Sequence, residues 1–370
     1  MVVVALAMTA VLSMVALAVD LGMLFASRGE AQRVADSAAL AGAGAFLDCW
    51  DCSYTAQVAE NYAIDYGARN TVRDQGVVIL PEDVTVDLAR RRVTVVVRRT
   101  SDRGSAVATW FARVFGVDEV DIAARATAEA AAAGAALCLK PFTLPDGWDD
   151  KNDNGQYDPG EYYDQTKTGY GSDWRDNVPS HNGIDPTGTK YTDDFGRPLL
   201  IKEGSGQETA VASWFYPWDV PQIEGQPVVG ADRYRWNIEN CNTSIVRLGE
   251  EYPFENGGMQ GPTKQGIEAL IAKDKDARWD VNADSVIGSL YQPWKASPRV
   301  VKIPLFDPTQ KLEPGKKPIV FNNFTDFFVV GMQGKDVIGR FLTASGIGVG
   351  STGTGGAQEG SNLKFVHLVE

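Results

Sequence analysis

VVVALAMTAVLSMVALAV at residues 2–19 runs directly into DLGMLFASRGEAQRVADSAALAGAGAFL at 20–47, and this junction decides how the chain is read. The first eighteen of these residues carry no charge. At a helical rise of about 1.5 Å per residue they would cover about 27 Å, close to one hydrocarbon core. The helix signal continues past them, because the following segment is rich in Ala, Gln, Arg and Leu and contains no proline. Asp20, at the end of the apolar run, is expected at headgroup level, where a carboxylate costs little. The competing reading is a cleaved signal peptide, since Ala16-Leu17-Ala18 fits a small-x-small cleavage site. The run is longer than a usual signal core and no basic residues precede it, so an uncleaved anchor is the reading taken. The missing basic leader is put down to processing or to the start chosen. No second apolar run of this length follows, which puts the rest of the chain on one side of the membrane.

The chain has 370 residues, 44% of them apolar, and a net charge of −13. That balance argues against a nucleic-acid binder, which needs a basic face. It contains no GxSxG, no P-loop and no HExxH. Its two histidines, His181 and His367, stand alone, so an enzyme is not expected. Two-carboxylate glycosidase chemistry finds no pair singled out by spacing.

From 48 to 137 the pattern is helix, hairpin, helix, strand. Residues 53–70 place Val58, Tyr62 and Tyr66 at four-residue spacing, which predicts a helix. Residues 83–100 alternate through Val84, Val86 and Leu88, then Val93, Val95 and Val97, with a hairpin tip at 89–91. SAVATWFARVFG (105–116) predicts a second helix ending at Gly116, and 117–130 a strand. A small antiparallel sheet with helices on one face is the economical packing. Arg90, Arg91, Arg92, Arg98 and Arg99 read as a solvated hairpin end.

AVDLGMLFASRGEAQRVADSAALAGAGAF (18–46) resembles the N-terminal segment of TadG-like proteins of the Tad/Flp (tight adherence) pilus system. The residues that carry the resemblance are Ala18, Val19, Asp20, Gly22, Arg28, Gln32, Ala35, Asp36, Ala38, Ala39, Leu40, Ala41 and Gly42. It is specific over this segment and looser to about residue 130. More loosely still, Cys138-Leu139-Lys140-Pro141-Phe142 and Asp307-Pro308-Thr309-Gln310 resemble stretches of the relatives' heads. The resemblance implies a pilin-like membrane helix with an extracytoplasmic head, associated with pilus assembly or the cell surface. Some relatives carry a von Willebrand A domain with an Asp-x-Ser-x-Ser metal motif. Asp51-Cys52-Ser53-Tyr54-Thr55 matches those letters loosely, but it follows an Ala/Gly-rich helix instead of an apolar strand. A polymerising pilin would also carry a glutamate early in its apolar helix, and residues 2–19 have none.

Beyond 138 the composition turns to Gly, Pro, Asp, Asn, Trp and Tyr. Residues 146–196 hold twelve acids against four bases. Within them, DKNDNGQYDPGE (150–161) matches a twelve-residue calcium loop. Asp150, Asn152, Asn154, Asp158 and Glu161 supply side-chain oxygens at positions 1, 3, 5, 9 and 12, and Gln156 its carbonyl at position 7. Gly155 sits at the sharp turn. Calcium takes six to eight hard oxygens, and this spacing brings them to one point. The flanks do not resemble a sensor's paired helices, which points to a lone structural loop with a dissociation constant of roughly 10⁻⁴ to 10⁻³ M. Cys138 and Cys241 flank this region and are expected to pair, with two buried thiols as the alternative. Cys49 and Cys52 suit a local disulfide better than redox chemistry. Such cysteines and a calcium loop suit the exterior. Trp and Tyr residues around 148–174 and 214–236 are expected to pack more than to form a sugar- or peptide-binding platform.

The expected architecture is therefore α+β. It comprises a transmembrane, pilin-like helix (1–47), a small helix–hairpin–helix–strand domain (48–137) and a larger, loop-rich mixed α/β distal domain (138–370). The last part would hold a helix at 262–274, with Pro262 in its first turn, and strands near 298–306, 324–334, 336–344 and 362–370. The function expected is a membrane-anchored structural or assembly protein of a Tad-type pilus or cell-surface structure, meeting other pilus or surface proteins and open to self-association. The alternative is a secreted calcium-binding binding protein or hydrolase whose first 18 residues are cleaved as a signal peptide.

Overall fold

A computed structural model describes residues 2–48, 55–152, 154–163, 196, 198–204, 209–228, 230–283, 285–313, 317–342 and 363–369. The chain divides into two compact units, Met1–Ala131 with Val366–Glu370, and Ala132–Phe365.

The first unit is organised by α1 (Val2–Asp48), an unbroken helix of 47 residues. Its C-terminal half buries Ala31, Val34, Ala35, Ala38, Ala39, Ala43 and Phe46, a stripe at three- and four-residue spacing. The second helix, α2 (Thr55–Ala68), buries Thr55, Ala59, Ala63 and Gly67 at strict four-residue spacing. Both stripes consist of small residues, so the two backbones approach closely. A Cβ added at Gly42 would lie 2.8 Å from Val93 Cγ1 and 3.0 Å from the Ala59 carbonyl oxygen.

The helices cover one face of an antiparallel sheet built from β1 (Val84–Asp87), β2 (Arg92–Arg99) and β3 (Ile122–Ala132). The register pairs Val93 with Ala128, Val95 with Ala126 and Val97 with Ala124. Valines on one strand and alanines on the next therefore fill alternate inward positions, all buried. Gln32 fastens α1 to the sheet by donating to the Arg125 carbonyl (2.9 Å) and to Asp36 (2.8 Å). The strand Lys364–Leu368 is the neighbour of β3 on the far side of the same sheet.

Two expectations are corrected here. The arginine cluster is not one solvated patch. Arg98 and Arg103 pair with the buried Asp83, and Arg92 pairs with Glu129 at 2.6 Å. Arg99 is buried, donating to the Ser105 and Val72 carbonyls. The second correction is at 105–116, which forms no α-helix. Val107–Ala108 pairs with Glu119–Val120, and a 3₁₀ turn at Ala112–Phe115 ends at Gly116, whose φ is +81°. The apolar periodicity there faces outward, so no core exists for a helix to pack against.

The second unit is a closed six-stranded barrel. Its strands are β4 (Phe142–Pro145), β5 (Pro198–Glu203), β6 (Trp214–Pro217), β7 (Val300–Phe306), β8 (Ile319–Gln333) and β9 (Asp336–Leu342). Round the barrel the order is β8, β7, β4, β6, β5, β9 and back to β8. Two of these pairings, β7 with β4 and β5 with β6, are parallel and the others antiparallel. Closure removes the exposed strand edges that an open sheet would carry. Phe142, Leu144, Ile201, Phe215, Ile303, Leu305, Phe327 and Phe341 share one core with Tyr234 and Ile238 of α3 (Gly230–Glu239) and Ile267 and Leu270 of α4 (Gln260–Lys273). At Gly339 the neighbouring strand's Phe327 ring occupies the Cβ position, 2.0 Å away, so the aromatic fills the barrel over bare backbone.

Cys138 and Cys241 form a disulfide across 103 residues, tying the entry to β4 to the chain just after α3. In the chain-entropy account such a long loop contributes about 4–5 kcal/mol. Cys49, Cys52 and the Asp51–Thr55 motif, save Thr55 itself, lie outside the described residues, as do His181 and the aromatic residues at 170 and 174.

The packing predicts opposite outcomes at two glycines of one helix. Gly42→Val should lower the thermal midpoint of the first unit, by an overpacking cost of about 1–3 kcal/mol. Gly44→Ala, whose added Cβ meets nothing within 4 Å, should leave the midpoint unchanged or raise it. Calorimetry of the full chain reads both.

Candidate functional site

The six sequence-predicted ligands fall in one loop that leaves the barrel after β4. Asp146 N–H donates to the Phe306 carbonyl at 2.8 Å, and Asp149 N–H donates to the Tyr162 carbonyl at 2.9 Å, closing the base of the loop. Gly155, at position 6, has φ of +69°, a conformation that suits glycine. Asp150 is buried. Its two oxygens accept the amides of Asn154 (3.2 Å) and Gly155 (2.6 Å). Asn152 Oδ1 also accepts from the Asn154 amide, and Asn154 Oδ1 accepts from that of Gln156. The carboxamides of Asn152 and Asn154 both donate to Asp158 Oδ2, at 2.9 and 2.7 Å. Glu161 reaches back across the loop to accept the amides of Lys151 (3.2 Å) and Asp158 (3.0 Å).

The outer edge is held by an antiparallel bridge between Gln156 and Val211. Tyr157 N–H donates to the Ala210 carbonyl, and Ala212 N–H to that of Gly155. In such a bridge the Gln156 carbonyl points away from the strand opposite. Trp148, fully buried, packs edge-on against Tyr157 at 5.9 Å between centroids. Like charge accumulates in the loop. Burial pushes the Glu161 carboxyl up, and Asp150 and Asp158 add to that push, outweighing the amide of Asp158 and that of Lys151. A bound cation would relieve this repulsion. Among the described residues, no three His, Cys, Asp or Glu side chains are grouped to hold a metal by themselves. A cation in the loop would draw on Asn152, Asn154 and the Gln156 carbonyl beside the three carboxylates.

A second feature lies on α1. The described large apolar side chains between Val3 and Val19, and Leu21 and Phe25 beyond them, are exposed, while Ala31, Val34, Ala35, Ala38, Ala39, Ala43 and Phe46 are buried. Asp20 sits ahead of the changeover, which falls between Phe25 and Ala31. It is only 2% exposed, and its carboxylate accepts the amides of Trp110 (3.0 Å), Phe111 (2.9 Å) and Ala112 (2.6 Å). Burial would raise its pKa, but these three donors and the Arg113 guanidinium prevail and hold it below the ordinary aspartate range. The Asp20 side chain turns inward and caps a turn. Among the described residues, no helix is long and apolar enough to cross a membrane. Several side chains of the 2–19 stretch are not among those described.

Residues 1–45 match the family described as "Putative Flp pilus-assembly TadE/G-like". The TadG-like resemblance of 18–46 is thus supported by an independent match that also takes in the apolar stretch before it. No curated protein and no solved structure matches the chain. The TadE/G-like match ends within α1, so neither the sheet nor the barrel inherits a role from it.

Sequence reading missed the clamp that seats the loop on the barrel. Asp146 is fully buried and accepts from the Gly147 amide (2.9 Å), the Asn322 carboxamide (3.0 Å), the Asn323 carboxamide (3.4 Å) and the Tyr163 hydroxyl (3.4 Å). Asn322 also bonds Tyr163, so both ends of the loop meet on β8. The sequence signal was slight, an Asp-Gly pair before Trp148 and an Asn-Asn pair inside an apolar strand. The aromatic residues go mostly to packing: Trp148, Tyr216, Trp218 and Tyr234 are buried, and Trp218 contacts Tyr252 and Phe321.

Burial pushes the Asp146 carboxyl up to about 7 against those four donors. A group whose folded pKa exceeds its unfolded value stabilises most fully at low pH, and that contribution fades as pH rises through the folded pKa. The thermal midpoint of the distal unit should therefore carry a component that declines from about pH 4 to about pH 7. Asp146→Asn should remove that component, and midpoints measured across this range check it.

Proposed function

We propose that the chain is a membrane-anchored, extracytoplasmic component of a Tad/Flp-type pilus or cell-surface assembly. In this reading residues 2–19 lie in the bilayer, and the two folded units stand outside the cytoplasm. Calcium in the 150–161 loop stabilises the distal unit. The chain then acts by assembly and contact with other pilus or surface proteins and does no chemistry.

One observation carries the anchor. A single helix exposes its apolar residues before Asp20 and buries them beyond Ala31, while residues 1–45 match a pilus-assembly family. An exposed apolar stretch of this length is unfavourable in water and needs cover. A disulfide between Cys138 and Cys241 fits an oxidising compartment. The calcium part is supported by the loop geometry. Six candidate donors sit on one loop, with the glycine turn at position 6 and Glu161 folded back over positions 2 and 9.

Alkaline carbonate extraction tests the anchor. The full chain should stay with the membrane pellet, and a chain lacking 2–19 should move to the supernatant; a full chain that extracts with carbonate would overturn the reading. Chelation tests the metal. EDTA should lower the thermal midpoint, calcium should restore it, and Asp150→Ala with Glu161→Ala should abolish the difference. An unchanged midpoint on chelation would remove calcium from the account.

A further inference from the structure

We propose that the turn Trp110–Val117 is a second membrane contact, an apolar wedge that Asp20 holds at the lipid interface beside the emerging helix. The proposal rests on the anchor reading above and adds to it a residue-specific contact of the folded unit with lipid.

Within eight residues this turn exposes Trp110, Phe111, Val114 and Phe115, at 59, 43, 80 and 77%. No other short segment of the first unit outside α1 concentrates exposed large apolar side chains in this way among the described residues. The turn lies against the last part of the apolar stretch. Phe111, Val114 and Phe115 share an open apolar groove with Val15, Leu17 and Val19. The exposed surface of the helix and that of the turn are therefore continuous. If lipid covers the first, it reaches the second.

The backbone of the turn is prepared for a medium without water. The amides of 110, 111 and 112 end on Asp20. Those of Thr109, Val114, Gly116 and Val117 donate to the carbonyls of Asp118, Phe111, Arg113 and Ala112. An apolar loop can enter an interface at low cost only when its amides are paired in this way. The composition also fits that depth. Tryptophan favours the headgroup region, and Arg113, exposed and bonded through Nε to the Thr109 carbonyl, can keep its charged end in water while its stem lies against lipid. Asp20 itself faces the turn and is shielded from lipid, which lets a carboxylate sit at the end of an apolar helix. A protein partner seated on the same patch is the competing occupant. Lipid is favoured by the continuity with the apolar stretch.

The test uses the full chain in vesicles of phosphatidylcholine and phosphatidylglycerol, with Cys49→Ser and Cys52→Ser. A nitroxide is placed on Phe115→Cys, on Val114→Cys or on Leu17→Cys, and relaxation by oxygen is compared with relaxation by an aqueous nickel chelate. All three labels should be oxygen-accessible, with nickel relaxation several-fold below that of a label at Arg90→Cys on the hairpin tip. If Leu17 is lipid-exposed but 114 and 115 are open to nickel, the wedge is overturned and the anchor stands. Labels at 114 and 115 shielded from both reagents would mean a protein partner and also overturn the wedge. A Leu17 label open to nickel would overturn the anchor and the wedge with it. Adding Asp20→Ala should raise nickel access at 115 and leave Leu17 unchanged; no rise at 115 would remove Asp20 from its holding role.

Discussion

A carboxylate that accepts three consecutive backbone amides ties the main helix of this chain to a turn about ninety residues further on. Asp20 collects the N–H groups of Trp110, Phe111 and Ala112, which a tight turn would otherwise leave unpaired. From Ala31 onward α1 is covered by small residues of α2 and by the valines and alanines of a sheet. Before Asp20, and still at Leu21 and Phe25, the same helix presents large apolar side chains to its surroundings. The helix has no proline to break it at this point, so the change is one of environment and not of backbone. The turn that Asp20 caps cannot move away from the helix without giving up three hydrogen bonds to a charged group, about 1.5–3 kcal/mol each.

The two units hold together by different means. The first depends on close backbone approach, in which alanine and glycine contribute by what they lack, and its sheet buries one face only. The second depends on closure. Six strands return on themselves, and aromatic side chains fill the interior, with Phe327 lying over Gly339. Onto that barrel the acidic loop is fastened at both ends, through Asp146 and Tyr163 to Asn322.

Local pattern made much of this legible. Four-residue spacing marked α2 as a helix, although its buried face is Thr55, Ala59, Ala63 and Gly67 and the Tyr62 and Tyr66 that carried the reading are exposed. Alternation marked the 84–99 hairpin and its alanine-rich partner strand, and Pro262 in the first turn marked α4. The loop at 150–161 was legible because all its donors are local in sequence. What escaped depends on distant partners. The 105–116 segment has a helical apolar period, yet its conformation is set by Asp20, about ninety residues earlier. Barrel closure rests on pairing of strands as far apart as β5 and β9 (Leu199 with Gly339), which no window of sequence contains. The helix at Gly230–Glu239 was not anticipated, because its polar sequence gives only Tyr234 and Ile238 to the core. The arginines of the hairpin read as solvated because their acceptors, Asp83 at the start of the segment and Glu129 on another strand, are not sequence neighbours.

The central claim is that one continuous helix passes from lipid into a folded unit at Asp20. Electron cryomicroscopy of the full chain in a lipid nanodisc tests it most directly. The account predicts unbroken helical density that enters the bilayer within a turn of Asp20, with the small sheet outside the membrane. A helix that lies wholly outside the bilayer, or that breaks at Asp20, would contradict it.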